Sequence, residues 1–492
     1  MALAQLEHAD TGMLDERRSR LTPRLPADGW LGWAAPIFIA LFALALRLHR
    51  LSIPSGIVFD ETYYAKDSND LLRYGHERSD DGSIADFVAH PPFGKWLIAA
   101  GEWLQHTGFL NQPESWGWRI SAAVFGALSV LVLCRLGRRM FRSTFLGCLA
   151  GGLMALDGLH FVQSRISMLD IFLLFWVVAA TACVVADRDD MRQRLADRLG
   201  GDLSYPGPRL GFRWWRLAAG LCLGAAIATK WSGIYYVAAL GLLSFAWDVG
   251  ARRTAGVPAP FRATLWRETV PFATLLLVVP VAFYVASWAG WFLTDGGFAR
   301  DQGAYGGFVE YHRQMWHFHT TLKQSTHPHT YMSGPWEWLI LARPVSYWYT
   351  SPVPFSSMEI LGIGTPAVWW AAIGGLLATT WRWVSRRDWR ASLVLVCVAV
   401  AILPWFAAPE RTMFLFYALP ALPFLCLALA LSAGMLMERV ERLGAARGWA
   451  AGALAGYLGL VVLNFFYFYP ILAAKVIPTS SWQSRIWFSS WI

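Results

Sequence analysis

RLHRLSIPSGIVFDETYYAKDSNDLLRYG (residues 47–75), followed after a short gap by AHPPFGKW (residues 89–96), decides how this chain reads. Almost everything outside it is a succession of apolar runs with short polar connections. The stretch sets the adjacent carboxylates Asp60 and Glu61 just past the end of the first run, followed by aromatics, a basic residue and a His-Pro-Pro turn. That is the pattern of a membrane span delivering a polar loop to an aqueous face.

The composition agrees. Of 492 residues, 56% are hydrophobic and 15% charged, whereas soluble domains carry roughly 25% charged residues. The apolar runs are about 17 to 25 residues long, enough to cross a bilayer core. The expected fold class is an all-α polytopic membrane protein, with membrane lipid as a partner. The net charge of +9 comes from arginines gathered in short connections. This is a topology signal and gives no reason to invoke nucleic acid. The six cysteines lie in or at the ends of apolar runs without paired spacing, so they read as small packing residues.

Eleven spans are expected, over about 30–49, 117–134, 144–162, 168–186, 217–229, 233–248, 270–292, 360–381, 391–406, 414–436 and 449–470. Spans five and six are the shortest. Residues 1–29 form a polar tail with Arg17, Arg18, Arg20 and Arg24, expected to be mobile. The tail is too long and polar for a signal-peptide n-region, so the first span is read as uncleaved. Residues 30–470 make the transmembrane body, with long polar loops at 50–116 and 293–358, each expected to carry interfacial amphipathic helices. Residues 471–492 form a short tail. Arginine enrichment in alternate connections places the N-terminus in the cytoplasm and both long loops and the C-terminus on the far side.

Adjacent residues point in different directions, so Asp60 and Glu61 do not suit a facing acid/base pair. Either they solvate a loop, or Asp60 acts alone as a general base with Glu61 in an orienting role. A single base suits a displacement whose leaving group departs as a stable anion. Cations for such an anion lie at the far-side ends of the runs: Arg47, Arg119, Arg165, Lys230 and Arg411. Charges at the ends of or inside apolar segments are costly and by default functional, although each could also snorkel to headgroups. Together they suggest a site for a phosphate. His90 opens HPPFGKW, where Pro fixes a turn before a helix and Gly94 permits close approach. Five of the eleven histidines (His312, His317, His319, His327 and His329) fall in one segment without carboxylate or Cys at zinc spacing. Interfacial or substrate contact is preferred there, and no metal ligand is assigned.

With these residues in hand, the chain resembles the polyprenyl-phosphate-mannose–protein mannosyltransferases of bacterial, actinobacterial-like type, within the GT-C membrane glycosyltransferases. The resemblance rests on VFDETYYAKDSNDLLRYG (58–75), HPPFGKW (90–96), WRISAAVFGAL (118–128), SRISMLD (164–170), LGAAIATKWSGIYY (223–236), YHRQMWHFH (311–319), HPHTYMSGPWEWLILARPVSYWY (327–349) and PERTMFLFYALPALPF (409–424). No single motif is decisive; the ordered set over about 47–424 is.

The resemblance implies mannose transfer from a polyprenyl-phosphate-mannose donor to Ser or Thr hydroxyls of proteins. The anomeric centre would invert, on the extracytoplasmic face of the plasma membrane, with acceptors coupled to the translocon. It implies no bound cofactor. Asp60 matches the catalytic acidic position and Glu61 its neighbour; Arg47, Arg119, Arg165 and Lys230 match positions near the donor phosphate, with Arg411 and His90 as further candidates. Two departures stand out. The loop after span seven is too short for the MIR domain of eukaryotic relatives. Val88 stands where the family often has an Asp two residues before the His, and Asp86 is offset from it. A GT-C transferase acting on a lipid or cell-wall glycan is the alternative within enzymes. An anionic-lipid transporter is the alternative outside them, although no internal repeat is seen.

Overall fold

A computed structural model describes residues 2–22, 25–79, 89–108, 111–442 and 447–492. Val88 and Asp86 lie outside the described residues. Among the described residues the protein is a helical bundle, built in chain order from elements that follow the apolar runs closely.

Helix α1 (Ala2–Leu21) precedes the first span, α2 (Leu31–Leu48). Within the tail, the described helix packs against the body. Leu14 and Leu21, seven residues apart on one helical face, pack into a small core with Met191, Leu195, Ala251 and Ala255. The polar loop that follows holds α3 (Glu61–Tyr74) and α4 (Phe93–His106). Then come α5 (Glu114–Phe141), α6 (Thr144–Ala155), the one-and-a-half-turn α7 (Gly158–Gln163) and the long α8 (Leu169–Asp197). Gly147 lets α6 lie against α5: a Cβ there would sit 2.3 Å from the Cys134 carbonyl oxygen.

Next come α9 (Trp214–Thr229), α10 (Ile234–Ala255), α11 (Pro260–Ala273), a π turn at Thr274–Val278, α12 (Val279–Ser287) and α13 (Ala289–Leu293). The second long loop carries α14 (Gly303–Thr321), α15 (Pro335–Trp338) and the strand β1 (Val345–Thr350), and continues into β2 (Ser356–Gly362). The chain closes with α16 (Pro366–Arg386), α17 (Trp389–Ile402), α18 (Leu422–Arg442), α19 (Arg447–Leu472), β3 (Ile477–Pro478) and α20 (Thr479–Gln483).

Eight apolar segments among the described residues are long enough to cross a membrane; α6 and α9 are shorter apolar helices. With α16, these account for the eleven expected runs. The short fifth span is α9, and it starts three residues earlier than the apolar pattern suggested because its first turn, Trp214-Trp215-Arg216, carries an arginine. The small sheet was not part of the sequence reading. Val345–Trp348 alternates buried and less buried positions as a strand does, and VSYWYT pairs antiparallel with β2, Val345 opposite Gly362 and Thr350 opposite Met358. β3 adds to the other edge of β2. The C-terminal segment is thereby tied down, with Trp491 fully buried and its indole N–H donating to the Leu341 carbonyl at 2.9 Å.

Candidate active site

The chain leaves α2 through Leu51–Phe59 and enters α3 at Asp60. Phe59 holds φ at +50°, a left-handed conformation that is strained for a bulky residue. Its ring is fixed edge-on among Tyr347 (5.0 Å), His329 (6.0 Å), Phe414 (6.1 Å) and Phe416 (6.2 Å). The ring thus packs in an aromatic cage at the residue just before Asp60.

Asp60 and Glu61 diverge. Glu61 is fully buried and its carboxylate is saturated. One oxygen accepts from Arg119 Nε at 2.7 Å and the Ser167 N–H at 3.0 Å; the other accepts from Arg119 Nη2 at 2.7 Å and the Val58 N–H at 2.9 Å. Asp60 occupies the N-cap position of α3 without capping it, and among the described residues its carboxylate has no hydrogen-bond partner. It is only partly buried. Burial pushes its pKa up to about 6, against the pull of Lys230 and with a further push from Asp170. It is therefore a free carboxylate that is mostly ionised at neutral pH yet close enough to its pKa to take a proton.

Lys230, the C-cap of α9, bonds both oxygens of Asp170 at 2.9 and 3.1 Å, and its ammonium lies 4.9 Å from the Tyr417 ring centroid. Asp170 sits in the first turn of α8. Gly94 makes this convergence possible: a Cβ there would be 2.8 Å from the Leu169 side chain and 2.9 Å from that of Thr229. The helix opened by HPPFGKW therefore seats against the ends of α8 and α9 beside the Asp170–Lys230 pair.

His90, at that turn, has an unpartnered buried Nδ1. Burial together with Lys230, His319, Lys95 and Arg411 holds its pKa far below the usual histidine range. His319 lies beside it, ring centroids 5.4 Å apart. The Ala89 carbonyl can only accept, so at 2.8 Å it fixes the His319 proton on Nε2. Nδ1 then accepts from Arg411 Nη2 at 3.2 Å. Arg411 also donates to the His319 carbonyl, while its Nε stays buried and unpaired. His319 is thereby neutral, its pKa lowered to about 4 by burial and by Arg411.

The structure thus brings Asp60, Lys230, His90 and Arg411 into one electrostatic neighbourhood. The other three expected cations turn inward. Arg119 uses its N–H groups on Glu61 and on the carbonyls of Leu51, Pro54 and Gly56. Arg165 donates to the carbonyls of Arg47, His49 and Arg50. Arg47 is fully buried against the Ala43 and Ala155 carbonyls and His160 Nδ1. Carbonyls left behind where α2 ends need donors, and these arginines supply them.

The clustered histidines disperse. His312 accepts from Tyr284 in an aromatic core, His329 meets Phe59 edge-on, His319 lies beside His90, and His317 and His327 are exposed. Among the described residues no three metal-ligating side chains converge. Two site residues had been given no role from sequence: Asp170, signalled by a lone carboxylate opening an apolar run, and His319, masked by its four histidine neighbours.

Two family models match: "Dolichyl-phosphate-mannose-protein mannosyltransferase" over residues 37–292, and "C-terminal four TMM region of protein-O-mannosyltransferase" over residues 305–491. The polyprenol-phosphate-mannose–protein mannosyltransferase of Mycolicibacterium smegmatis is 38% identical over 95% of this chain and 94% of its own. Those of Mycobacterium tuberculosis (36%, covering 95% and 93%) and Corynebacterium glutamicum (36%, covering 93% and 93%) are similar to the same extent. Among solved structures, a Saccharomyces cerevisiae protein O-mannosyltransferase complex bound to the sugar donor superposes with a TM-score of 0.74 at 17% identity, covering 93% of this chain and 92% of that one. That likeness shows the GT-C fold. With models spanning nearly its whole length and relatives this similar end to end, the chain belongs to the dolichyl-phosphate-mannose–protein mannosyltransferase family.

Proposed function

We propose that this protein transfers mannose from polyprenyl-phosphate-mannose to Ser or Thr hydroxyls of proteins, with Asp60 as the base. The family and its relatives supply the reaction. The observation that carries the residue assignment is the Asp60 carboxylate: unbonded, partly open, within electrostatic reach of Lys230 and preceded by a strained Phe59.

In this reading the acceptor hydroxyl loses its proton to Asp60 as its oxygen bonds the anomeric carbon. The bond from that carbon to the phosphate oxygen breaks, the configuration inverts, and the polyprenyl phosphate leaves as an anion. Lys230 and Arg411 provide the facing positive charge, and His90 offers a neutral ring at the same end. Glu61, Arg119, Arg165 and Arg47 hold the loop that aims Asp60. The bias of arginine between connections supports an extracytoplasmic site and a cytoplasmic N-terminus. Residence in the plasma membrane and acceptors met on leaving the translocon complete the reading, on the family resemblance.

The test uses purified protein in detergent with radiolabelled polyprenyl-phosphate-mannose and a Ser/Thr/Pro-rich peptide. Label on the peptide, lost in Asp60→Asn while the donor still binds, is expected. Undiminished transfer by the variant would remove Asp60 as the base, and label appearing only on lipid or glycan would reassign the acceptor.

A further inference from the structure

At the end of the bundle away from Asp60, a second charged centre is buried. On α8, Asp170 at the active site and Asp187 at this centre are roughly 25 Å apart at 1.5 Å per residue. Asp187, Asp248 and Glu268 pair there with Arg213, Arg216 and Arg252. Arg213 reaches Asp187 at 2.6 Å, Arg216 reaches Asp248 at 2.6 Å, and Arg252 Nη2 reaches Glu268 at 2.8 Å. Three carboxylates balance three guanidiniums, which is how so many charges are tolerated inside a membrane bundle.

The balance does not extend to every donor. Arg252 is fully buried, yet its Nε and Nη1 have no partner. Leaving guanidinium donors unsatisfied inside a protein is costly. Arg252 also lines a cavity of about 560 Å³ bounded by the loop before α9, the end of α10, and α11 with its π turn. Arg213 and Glu268 of the network line it too, as do two arginines outside the network, Arg209 and Arg267. Neither has a carboxylate partner among the described residues; Arg267 donates only to the Gly207 carbonyl, at 2.7 and 3.0 Å. Four arginines against the single carboxylate of Glu268 make the lining net positive, with the unpaired Arg252 donors buried beneath it.

Its other wall is apolar. Trp266 and Val270 of α11 line it and are among the most exposed hydrophobic side chains of the protein, 73% and 75%. They belong to a membrane-length segment with only 17% of its apolar window buried, which leaves its apolar face open to lipid. A cationic pocket opening beside a lipid-facing helix suits a ligand with an anionic head and an apolar tail.

We propose that this cavity is a binding site for the phosphate headgroup of an anionic phospholipid. Arg209 and Arg267 flank the phosphate, Arg252 adds its positive charge from beneath the lining, and the acyl chains run along Trp266 and Val270. The site is separate from the mannosyl-transfer site and lies at the opposite membrane face.

Native mass spectrometry of the purified full-length protein tests this, with dioleoylphosphatidylglycerol, dioleoylphosphatidylcholine or inorganic phosphate added to the detergent solution. Phosphatidylglycerol is expected to be retained at about tenfold lower concentration than phosphatidylcholine. Arg252→Gln and the double variant Arg209→Gln/Arg267→Gln are each expected to remove that preference. The double variant changes no member of the buried ion network, so it decides the matter if Arg252→Gln does not fold. Equal retention of the two lipids by wild type, or an undiminished preference in the double variant, overturns the proposal. Displacement of the lipid by equimolar inorganic phosphate overturns the lipid as the ligand.

Discussion

Lys230 and Asp170 form a closed ion pair, 2.9 and 3.1 Å between the ammonium and the two carboxylate oxygens, within electrostatic reach of the unbonded Asp60. The pair is nearly neutral as a unit, so Lys230 cannot pull the Asp60 pKa down as far as a free ammonium would. The carboxylate of Asp170 is thus a means of keeping Asp60 basic. Asp170→Asn removes the like charge and frees Lys230. The acid limb of the pH profile of kcat/KM is expected to move to lower pH, and a limb that stays in place would disprove this coupling.

The wild-type profile follows from the same carboxylate. With the Asp60 pKa near 6, transfer is expected to rise through pH 6 and to fall about tenfold for each unit below it. The raised value also carries a stability cost. The folded state binds a proton more readily than the unfolded chain, so stability decreases as pH rises from the ordinary Asp value through 6. Asp60→Asn lacks that slope. It is expected to be inactive yet at least as heat-resistant as wild type at pH 7, which thermal unfolding across pH 4–8 checks.

Arg119 separates a structural role from a phosphate-binding one. It was expected at the donor, and instead its donors are spent on Glu61 and three carbonyls. Arg119→Ala leaves a buried unpaired carboxylate, and breaking such a pair costs about 3–5 kcal/mol. The expected result is a lower melting temperature, partly recovered in the Glu61→Gln/Arg119→Gln double variant. Wild-type stability with a raised donor KM would return Arg119 to the phosphate.

Lys230 and Arg411 should behave differently. Lys230→Met and Arg411→Gln are each expected to reduce kcat/KM for the donor by about tenfold or more, as loss of a charge-assisted contact does. The acceptor KM should hardly move. Donor and acceptor titrations with the same peptide distinguish the two cases.

How far the sequence foretold this depends on the scale of the signal. Spans are legible because little besides a membrane crossing calls for an apolar run of bilayer length, and Asp60 drew attention because it stands just past the end of one. The strands were not: VSYWYT is as good an aromatic belt as a β-strand, and only pairing with SSMEILG decides between them. Charge alone could not tell which arginines spend their donors on loop carbonyls. Arg165 and Arg411 look alike in sequence, but one closes the end of α2 and the other grips His319. Asp170 was hidden by the opposite problem, a single carboxylate whose partner lies sixty residues away.

Aim can be separated from chemistry at Phe59. This residue contributes no polar side-chain atom to the site, yet it precedes Asp60 with a left-handed φ and four aromatic neighbours, an arrangement expected to aim the carboxylate. Phe59→Ala removes the ring but keeps a Cβ in a strained conformation, so the turn is free to relax to negative φ. A displacement of about 1 Å at a catalytic group can cost on the order of 100-fold in rate. The expected outcome is a large fall in kcat with the donor KM little changed and the acid limb still near pH 6, because the carboxylate survives and only its position is lost. Phe59→Tyr, which refills the cage, should recover most of the rate. A Phe59→Ala enzyme with wild-type kcat would show that the cage holds the fold without aiming the base.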